Sequence, residues 1–223
     1  MKLSQTWRFG RNDHSWLNQL YDWLRFRVNR NLVRYLSQHL CPEVTVDTKD
    51  HSDRIRILEA GSGAASATSL FRQQSAADLC VCLDRDEEAL QSAKQRDPGI
   101  PAVVGDLLCL PFKEGVFQLT FSSSTIEHLG DPVRAVLEMR RVCRSDGRVF
   151  VGVPYRFGPL AFQPLIAKTS LGVWLGTVFS ASSLNQLFKK AGLHPLAYSH
   201  YFLRFFIGMV ACRDTAARQE CNT

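Results

Sequence analysis

The sequence predicts an α/β protein: a doubly wound, mostly parallel sheet with helices on both faces. Three observations carry this. Short apolar runs alternate with helical stretches from Ile55 to Val153, the pattern of βαβ units. The runs are nearly continuous in apolar residues, as in strands covered on both faces. Glu59, Gly61, Asp84, Asp106 and Ser122 all fall at the carboxyl ends of these strands, the edge where open α/β sheets bind ligands.

In chain order, residues 1–14 are polar. From Ser15 the spacing is helical, with Leu17, Leu20, Leu24, Val28, Leu32, Leu36 and Leu40 on one face and Pro42 closing the helix. A charged loop, Val44 to Asp53, leads to the first strand, Ile55–Ala60. A helix over Ala67–Gln74, a strand over Leu79–Leu83 ending at Asp84, and a helix over Glu87–Gln95 capped by Asp86 follow. Ala102–Val104 and Val116–Ser122 are the next strands. Asp131-Pro132 is a helix start signal, and that helix runs through Arg141. Ser145-Asp146-Gly147 turns the chain into the strand Arg148–Val153, which Pro154 ends. Residues 155–179 are apolar but broken by Gly158, Pro159, Pro164, Gly172 and Gly176, so no regular element is expected there. Ser180–Ala191 reads as a helix with Gly192 as C-cap, and His194–Tyr201 and Phe205–Arg213 as two antiparallel strands.

At 223 residues and 45% hydrophobic content, with no Pro/Ser/Gly-rich linker, the chain suits one domain over 1–223. The net charge of +6 is concentrated early. Arg8, Arg11, Arg25, Arg27, Arg30 and Arg34 lie among Trp7, Trp16, Tyr21, Trp23, Phe26 and Tyr35. The expected form is an amphipathic helix docked on the domain with its arginines solvated; the sharper reading is peripheral contact with an anionic membrane. No nucleic-acid motif accompanies the charge, so no nucleic-acid partner is expected. Seven cysteines without a CxxC pair or a zinc spacing read as reduced thiols in a cytoplasmic protein. Cys80 and Cys82 should face the same side of their strand. The N-terminus lacks a signal-like apolar run, and Leu171–Phe179 is too short to span a bilayer.

The turn Gly61-Ser62-Gly63-Ala64-Ala65-Ser66 misses both GxGxG and GxGxxG at the third glycine. Glycine geometry alone explains such a strand-to-helix turn. Asp84 adds a second element, an acid at the end of the next strand placed to accept hydrogen bonds from ribose hydroxyls. Glu59 separates the cofactor classes. A negative charge two residues before the first glycine opposes a pyrophosphate and suits a cationic ligand.

The ordered set Leu58-Glu59-Ala60-Gly61-Ser62-Gly63, Leu83-Asp84, Gly105-Asp106, Leu110-Pro111-Phe112, Phe117 through Ser122, Ile126-Glu127-His128-Leu129, Asp131-Pro132 and Arg141-Val142 with Asp146-Gly147 resembles the class I S-adenosylmethionine-dependent methyltransferases, type 11. The resemblance covers residues 55–153, the cofactor-binding core, and weakens towards Arg213. It implies a Rossmann-like seven-stranded sheet with an antiparallel last strand, and S-adenosylmethionine as cofactor. It assigns Glu59 to the methionine ammonium and Gly61, Ser62 and Gly63 to the loop beneath the methionine. Asp84, with Arg85 beside it, goes to the ribose, Asp106 and Leu107 to the adenine, and Ser122 and Ser123 to the sulfonium end. Gln118 departs from the family's usual aspartate. Some related quinone-type enzymes bind a metal through Glu-His and an upstream acid; Ser124 stands at that upstream position, so no metal is expected.

The function implied is methyl transfer to a small-molecule acceptor by in-line displacement. Residues 15–40 form a cap helix, residues 155–179 a substrate lid, and residues 180–213 the C-terminal helix and strands. The apolar lid (Phe157, Leu160, Phe162, Trp174) points to an apolar or aromatic acceptor. His128 is the candidate general base, with Tyr155, His200 and Tyr201 behind it. The alternatives are a cofactor-binding regulatory module without acceptor chemistry, and an RNA or protein methyltransferase. The latter lacks an Asn/Asp-Pro-Pro-Tyr-type motif, since Ser122-Ser123-Ser124-Thr125 stands at that place. The residues leave the acceptor, the methylated atom and the oligomeric state open.

Overall fold

Residues 16–40, 54–74, 77–158 and 176–213 are described by the structure, a computed structural model. The elements in chain order are α1 (Trp16–His39), β1 (Arg56–Ala60), α2 (Ser66–Gln73), β2 (Leu79–Asp84), α3 (Glu87–Arg96), β3 (Ala102–Val104) and β4 (Phe117–Ser123). A 3-10 turn (Ile126–His128), α4 (Pro132–Val142), β5 (Cys143–Pro154), α5 (Ala181–Lys190), β6 (His194–Tyr201) and β7 (Phe206–Cys212) complete the series.

The seven strands form one sheet in the order β3-β2-β1-β4-β5-β7-β6. β1 through β5 pair in parallel, and β7 runs antiparallel between β5 and β6. The chain order reverses at β1, whose neighbours are β2 and β4, so the crevice above β1 is the topological switch point.

Strand alternation divides the core between the two faces. Leu58, Ala60, Val81, Leu83, Val149 and Val151 pack with α4 and α5 through Met139, Val142, Leu184 and Phe188. Ile57, Cys80, Leu119, Phe121 and Phe150 pack instead with α1 and α2 through Leu32, Val33, Leu36, Leu70 and Phe71. Cys82 continues that side beneath α3, with Leu90 and Ala93. Cys80 and Cys82 thus share a face, as the strand period requires. Burial pushes both thiols up to about 11.

The N-caps read at Asp86 and Asp131 form: Asp86 accepts from the Glu88 and Ala89 amides, and Asp131 from the Arg134 amide. Ser180 adds a capping box with Ser183. Gln118, the family's departure, ties two strands together. Its Oε1 accepts from the Arg56 amide at 2.7 Å, and its Nε2 donates to the Arg54 carbonyl at 2.8 Å.

Some expectations need correction. β5 starts at Cys143 rather than Arg148, because Phe117 pairs with Cys143 before a register shift and the strand carries the 145–147 irregularity within it. The apolar stripe of α1 is buried at Leu32, Val33 and Leu36, but Trp23 and Phe26 are about half exposed. Arg27 lies over the Trp23 ring, 4.9 Å from its centroid. The part of α1 around residues 23–27 therefore exposes aromatic as well as basic groups. The side chains of Leu17, Leu20, Leu24 and Arg25, and the segments 1–15, 41–53 and 159–175, lie outside the described residues. The polar N-terminal stretch, the charged loop and most of the expected lid fall there.

Candidate functional site

The sequence-predicted site residues converge on the carboxyl edge of the parallel strands. β1 delivers Glu59 and the glycine loop, β2 delivers Asp84 and Arg85, and β3 leads to Asp106. β4 delivers Ser122 and Ser123, with Glu127 and His128 on the turn beyond.

The loop is built from alternating left-handed residues. Gly61, Gly63 and Ala65 have φ of 74°, 51° and 52°. Ala65 therefore adopts the conformation that a third glycine would supply, at a steric cost of about 1–2 kcal/mol for a residue with a Cβ. Its methyl is fully buried and packs with Cys82 and Leu90, which offsets part of that cost. Gly61 is required for a second reason. A Cβ there would collide with the Thr125 side chain, whose Oγ1 donates to the Gly61 carbonyl at 2.8 Å. The turn after β4 is thus fastened to the glycine loop.

Asp84 organises the loop. Its Oδ2 accepts from the Gly63 amide at 2.6 Å and its Oδ1 from the Asp86 amide at 2.9 Å. A carboxylate has about four acceptor sites, so two hydrogen bonds leave capacity for a ligand's hydroxyls. Glu59 is buried, and its Oε2 accepts from the Thr68 amide at 2.9 Å and the Thr68 hydroxyl at 2.5 Å. Thr68 is in the first turn of α2, where negative charge is favoured by the helix dipole. Glu59 thereby holds α2 against β1, a role that sequence reasoning missed. Ser62 is buried behind the loop.

Asp106 is exposed, and its Oδ1 accepts from the Leu108 amide at 2.8 Å. Leu107 is 5% exposed and packs in the core on the α4 side. Its side chain anchors the loop that carries Asp106. The following loop is held by Arg141, which donates to the Leu110 and Phe112 carbonyls, each at 2.8 Å, and to Glu138. Glu138 in turn accepts from the Leu110 amide. The Arg141 guanidinium beside it holds the Glu138 carboxyl below its ordinary value.

Ser122 is buried, and among the described residues its Oγ has no hydrogen-bond partner. Ser123 differs from expectation in that its hydroxyl is engaged at 2.9 Å by the Tyr201 hydroxyl. Tyr201 is a poor base as well. Burial drives its phenol well above the usual range, so it stays protonated.

His128 ends the 3-10 turn and does not start α4, which begins at Pro132, because Asp131-Pro132 caps that helix separately. Burial first and the nearby positive charge of exposed Arg85 second lower the His128 imidazole from its ordinary value, which keeps it neutral and able to accept a proton at pH 7. Gly176 packs on its ring, and the Thr177 amide donates to the Glu127 carbonyl at 3.0 Å. The chain leaving the 159–175 segment therefore returns over this turn. Tyr155 and His200 form an edge-to-face pair 4.5 Å apart beside it.

A strand order of this kind, with a positive-φ glycine loop after β1 and acids ending β1 and β2, defines the class I S-adenosylmethionine-dependent methyltransferase fold. A Thermotoga maritima S-adenosylmethionine-dependent methyltransferase, described as a possible histamine N-methyltransferase, superposes with a TM-score of 0.65 at 20% identity, covering 89% of this chain and 96% of that one. Residues 58–151 match the family model for a methyltransferase domain, which marks this stretch as a type 11 methyltransferase domain of that class. A probable S-adenosylmethionine-dependent methyltransferase of Mycobacterium tuberculosis is 31% identical over 146 residues, 66% of this chain and 51% of that protein. A demethylmenaquinone methyltransferase of a Mycobacterium species is 33% identical over 131 residues, 59% of this chain and 53% of that protein. The chain spans about half the length of these curated relatives. S-adenosylmethionine is the cofactor that the family and fold imply.

Proposed function

We propose that this protein transfers the methyl group of S-adenosylmethionine to a small-molecule acceptor of apolar or aromatic character. The observation that carries the reading is the alignment of Glu59, the 61–65 loop, Asp84 and Asp106 along one strand edge. In this reading Asp84 takes the ribose hydroxyls with its remaining acceptor capacity. Asp106 takes the adenine amino group with Leu107 bracing its loop, and Gly61, Ser62 and Gly63 pass beneath the methionine. Glu59 adds negative charge near the ammonium, Arg85 flanks the ribose end, and Ser122 and Ser123 bound the reacting end.

When bound, the cofactor supplies an electrophilic methyl on a good leaving group. What remains for the chain is alignment, which contributes up to about 7–11 kcal/mol in favourable cases. His128, neutral at pH 7, would take the proton that the acceptor heteroatom gives up on methylation. The aromatic wall of Tyr155, Phe157 and His200 favours an apolar acceptor. The similarity to a protein named for demethylmenaquinone supports a small, greasy acceptor. The exposed Trp23, Phe26 and Arg27 face supports contact with an anionic membrane, where such acceptors reside. Among the described residues no helix is long and apolar enough to cross a membrane. The free thiols Cys80, Cys82, Cys109 and Cys143 support a reducing, cytoplasmic setting.

Calorimetry with S-adenosylmethionine tests the cofactor reading, and absent binding by the folded protein overturns it. Labelled S-adenosylmethionine incubated with a metabolite extract tests the transfer. Label in an apolar small molecule supports the reading, whereas binding without any transfer leaves a cofactor-binding regulatory module.

A further inference from the structure

Glu127 is the least accommodated acid of this edge. It is 4% exposed, and among the described residues its Oε2 has no hydrogen-bond partner. Its Oε1 stands 3.9 Å from His128 Nε2, beyond hydrogen-bond range. Thr125, two residues earlier, is bonded to the glycine loop, and Glu127 lies within electrostatic reach of Tyr201, whose hydroxyl meets Ser123 at the end of β4. The turn that carries the carboxyl is therefore fastened to the glycine loop just beyond β4, where the methyl end of the cofactor is expected.

Among the described residues, the groups facing it bring it no firm counter-charge. His128 on the same turn is neutral at pH 7, with Arg85 beyond it from the β2–α3 connection. Tyr201 from β6 is protonated, Ser123 from β4 is uncharged, and Gly176–Phe179 carries no ionisable side chain. Burial pushes the Glu127 carboxyl up to about 8, against a smaller lowering by a backbone hydrogen bond. At pH 7 it holds its proton, and a cation brought to this edge is what would release it.

We infer that Glu127 is a charge-selective binding residue, ionising when a sulfonium occupies the edge and staying neutral when the thioether product does. The inference rests on the cofactor reading above. The sulfonium supplies the missing counter-charge, so binding of the methyl donor expels a proton and is strengthened as pH rises towards the carboxyl's own value. The thioether has no such charge and is not favoured by ionisation. Once the sulfur has become neutral, Glu127 recovers a proton and the preference for holding the spent cofactor is lost.

Calorimetric affinities of the full chain for S-adenosylmethionine and S-adenosylhomocysteine between pH 6 and 7.5 test this. The two ligands differ at the sulfur, and Glu127→Gln serves as the control for the different titration of their α-amino groups. The expected ratio shifts in favour of S-adenosylmethionine by about tenfold per pH unit. It becomes pH-independent in Glu127→Gln, which keeps the side chain's size. Runs in buffers of different ionisation enthalpy should show about one proton released with S-adenosylmethionine alone. A flat ratio in the unaltered protein, with both ligands bound, overturns the inference and leaves the cofactor reading standing. Failure of both ligands to bind overturns the cofactor reading, and the inference with it.

Discussion

The Tyr201 hydroxyl lies 2.9 Å from Ser123 Oγ, joining edge strand β6 to β4 across two intervening strands. The crossing is possible because β5 and β7 carry a glycine pair, Gly152 opposite Gly208, under the ring. A Cβ at Gly152 would collide with the Tyr201 hydroxyl, and one at Gly208 would collide with the Phe150 ring. Gly152→Ala is expected to lower stability by about 1–3 kcal/mol through overpacking. Tyr201→Phe keeps the ring and should lose only about 1 kcal/mol with its hydrogen bond. Urea denaturation separates the two, and a Gly152→Ala variant as stable as the parent would show that packing does not fix Tyr201.

Asp84 bonds the loop that it is proposed to share with the ribose, so its loss acts twice. Asp84→Ala should weaken S-adenosylmethionine binding at least tenfold, about 1.4 kcal/mol. Calorimetry reads this directly, and an unchanged affinity would refute the ribose assignment.

Glu127 makes stability depend on pH in an unusual direction for an acid. Its folded-state value is raised from 4.5 to about 8, so the folded protein holds a proton that the unfolded chain has released between those limits. Its contribution to stability is therefore lost progressively as pH rises through that window. Glu127→Gln should gain stability relative to the parent on going from pH 5 to pH 8, read as a growing difference in Tm. A constant difference would mean that the carboxyl ionises normally in the fold.

The His128 imidazole is lowered below 6.5, so its base form persists through the neutral range. Once an acceptor is in hand, its kcat/KM at saturating S-adenosylmethionine should fall only on the acid side of pH 6.5, and His128→Gln should remove that limb while leaving S-adenosylmethionine affinity intact. Turnover unaffected by the substitution would eliminate His128 as the base.

Glu138 and Arg141 act as the clasp on the loop after Asp106. Glu138→Ala strands the buried Leu110 amide and frees Arg141, with an expected loss of about 1–3 kcal/mol. The Glu138 carboxyl lies below its ordinary 4.5 in the fold, so its contribution is present above that pH and is lost as pH falls through the folded value. Denaturation of both proteins at pH 7 and pH 3 should show the gap narrowing in acid.

The sequence by itself determined the order of strands and helices, the parallel core and the edge on which the site lies. Those features are written in local terms: apolar runs for β1 and β2, caps at Asp86 and Asp131, and acids placed where strands end. The family resemblance added the cofactor for the same reason, since its motifs are short and contiguous. The tertiary structure alone decided what the polar groups do once they meet. Glu59 is claimed by Thr68, Ser123 by Tyr201, and Asp84 by Gly63, partners between nine and 78 residues apart. Gly152 and Gly208 read as ordinary strand glycines until the sheet sets them side by side beneath one ring. Glu127 reads as half of a Glu-His motif, and only the fold shows it buried, with an Oε2 that has no hydrogen-bond partner among the described residues. Hydrogen bonding and desolvation depend on which distant segments surround a group, and no local pattern in the chain encodes that.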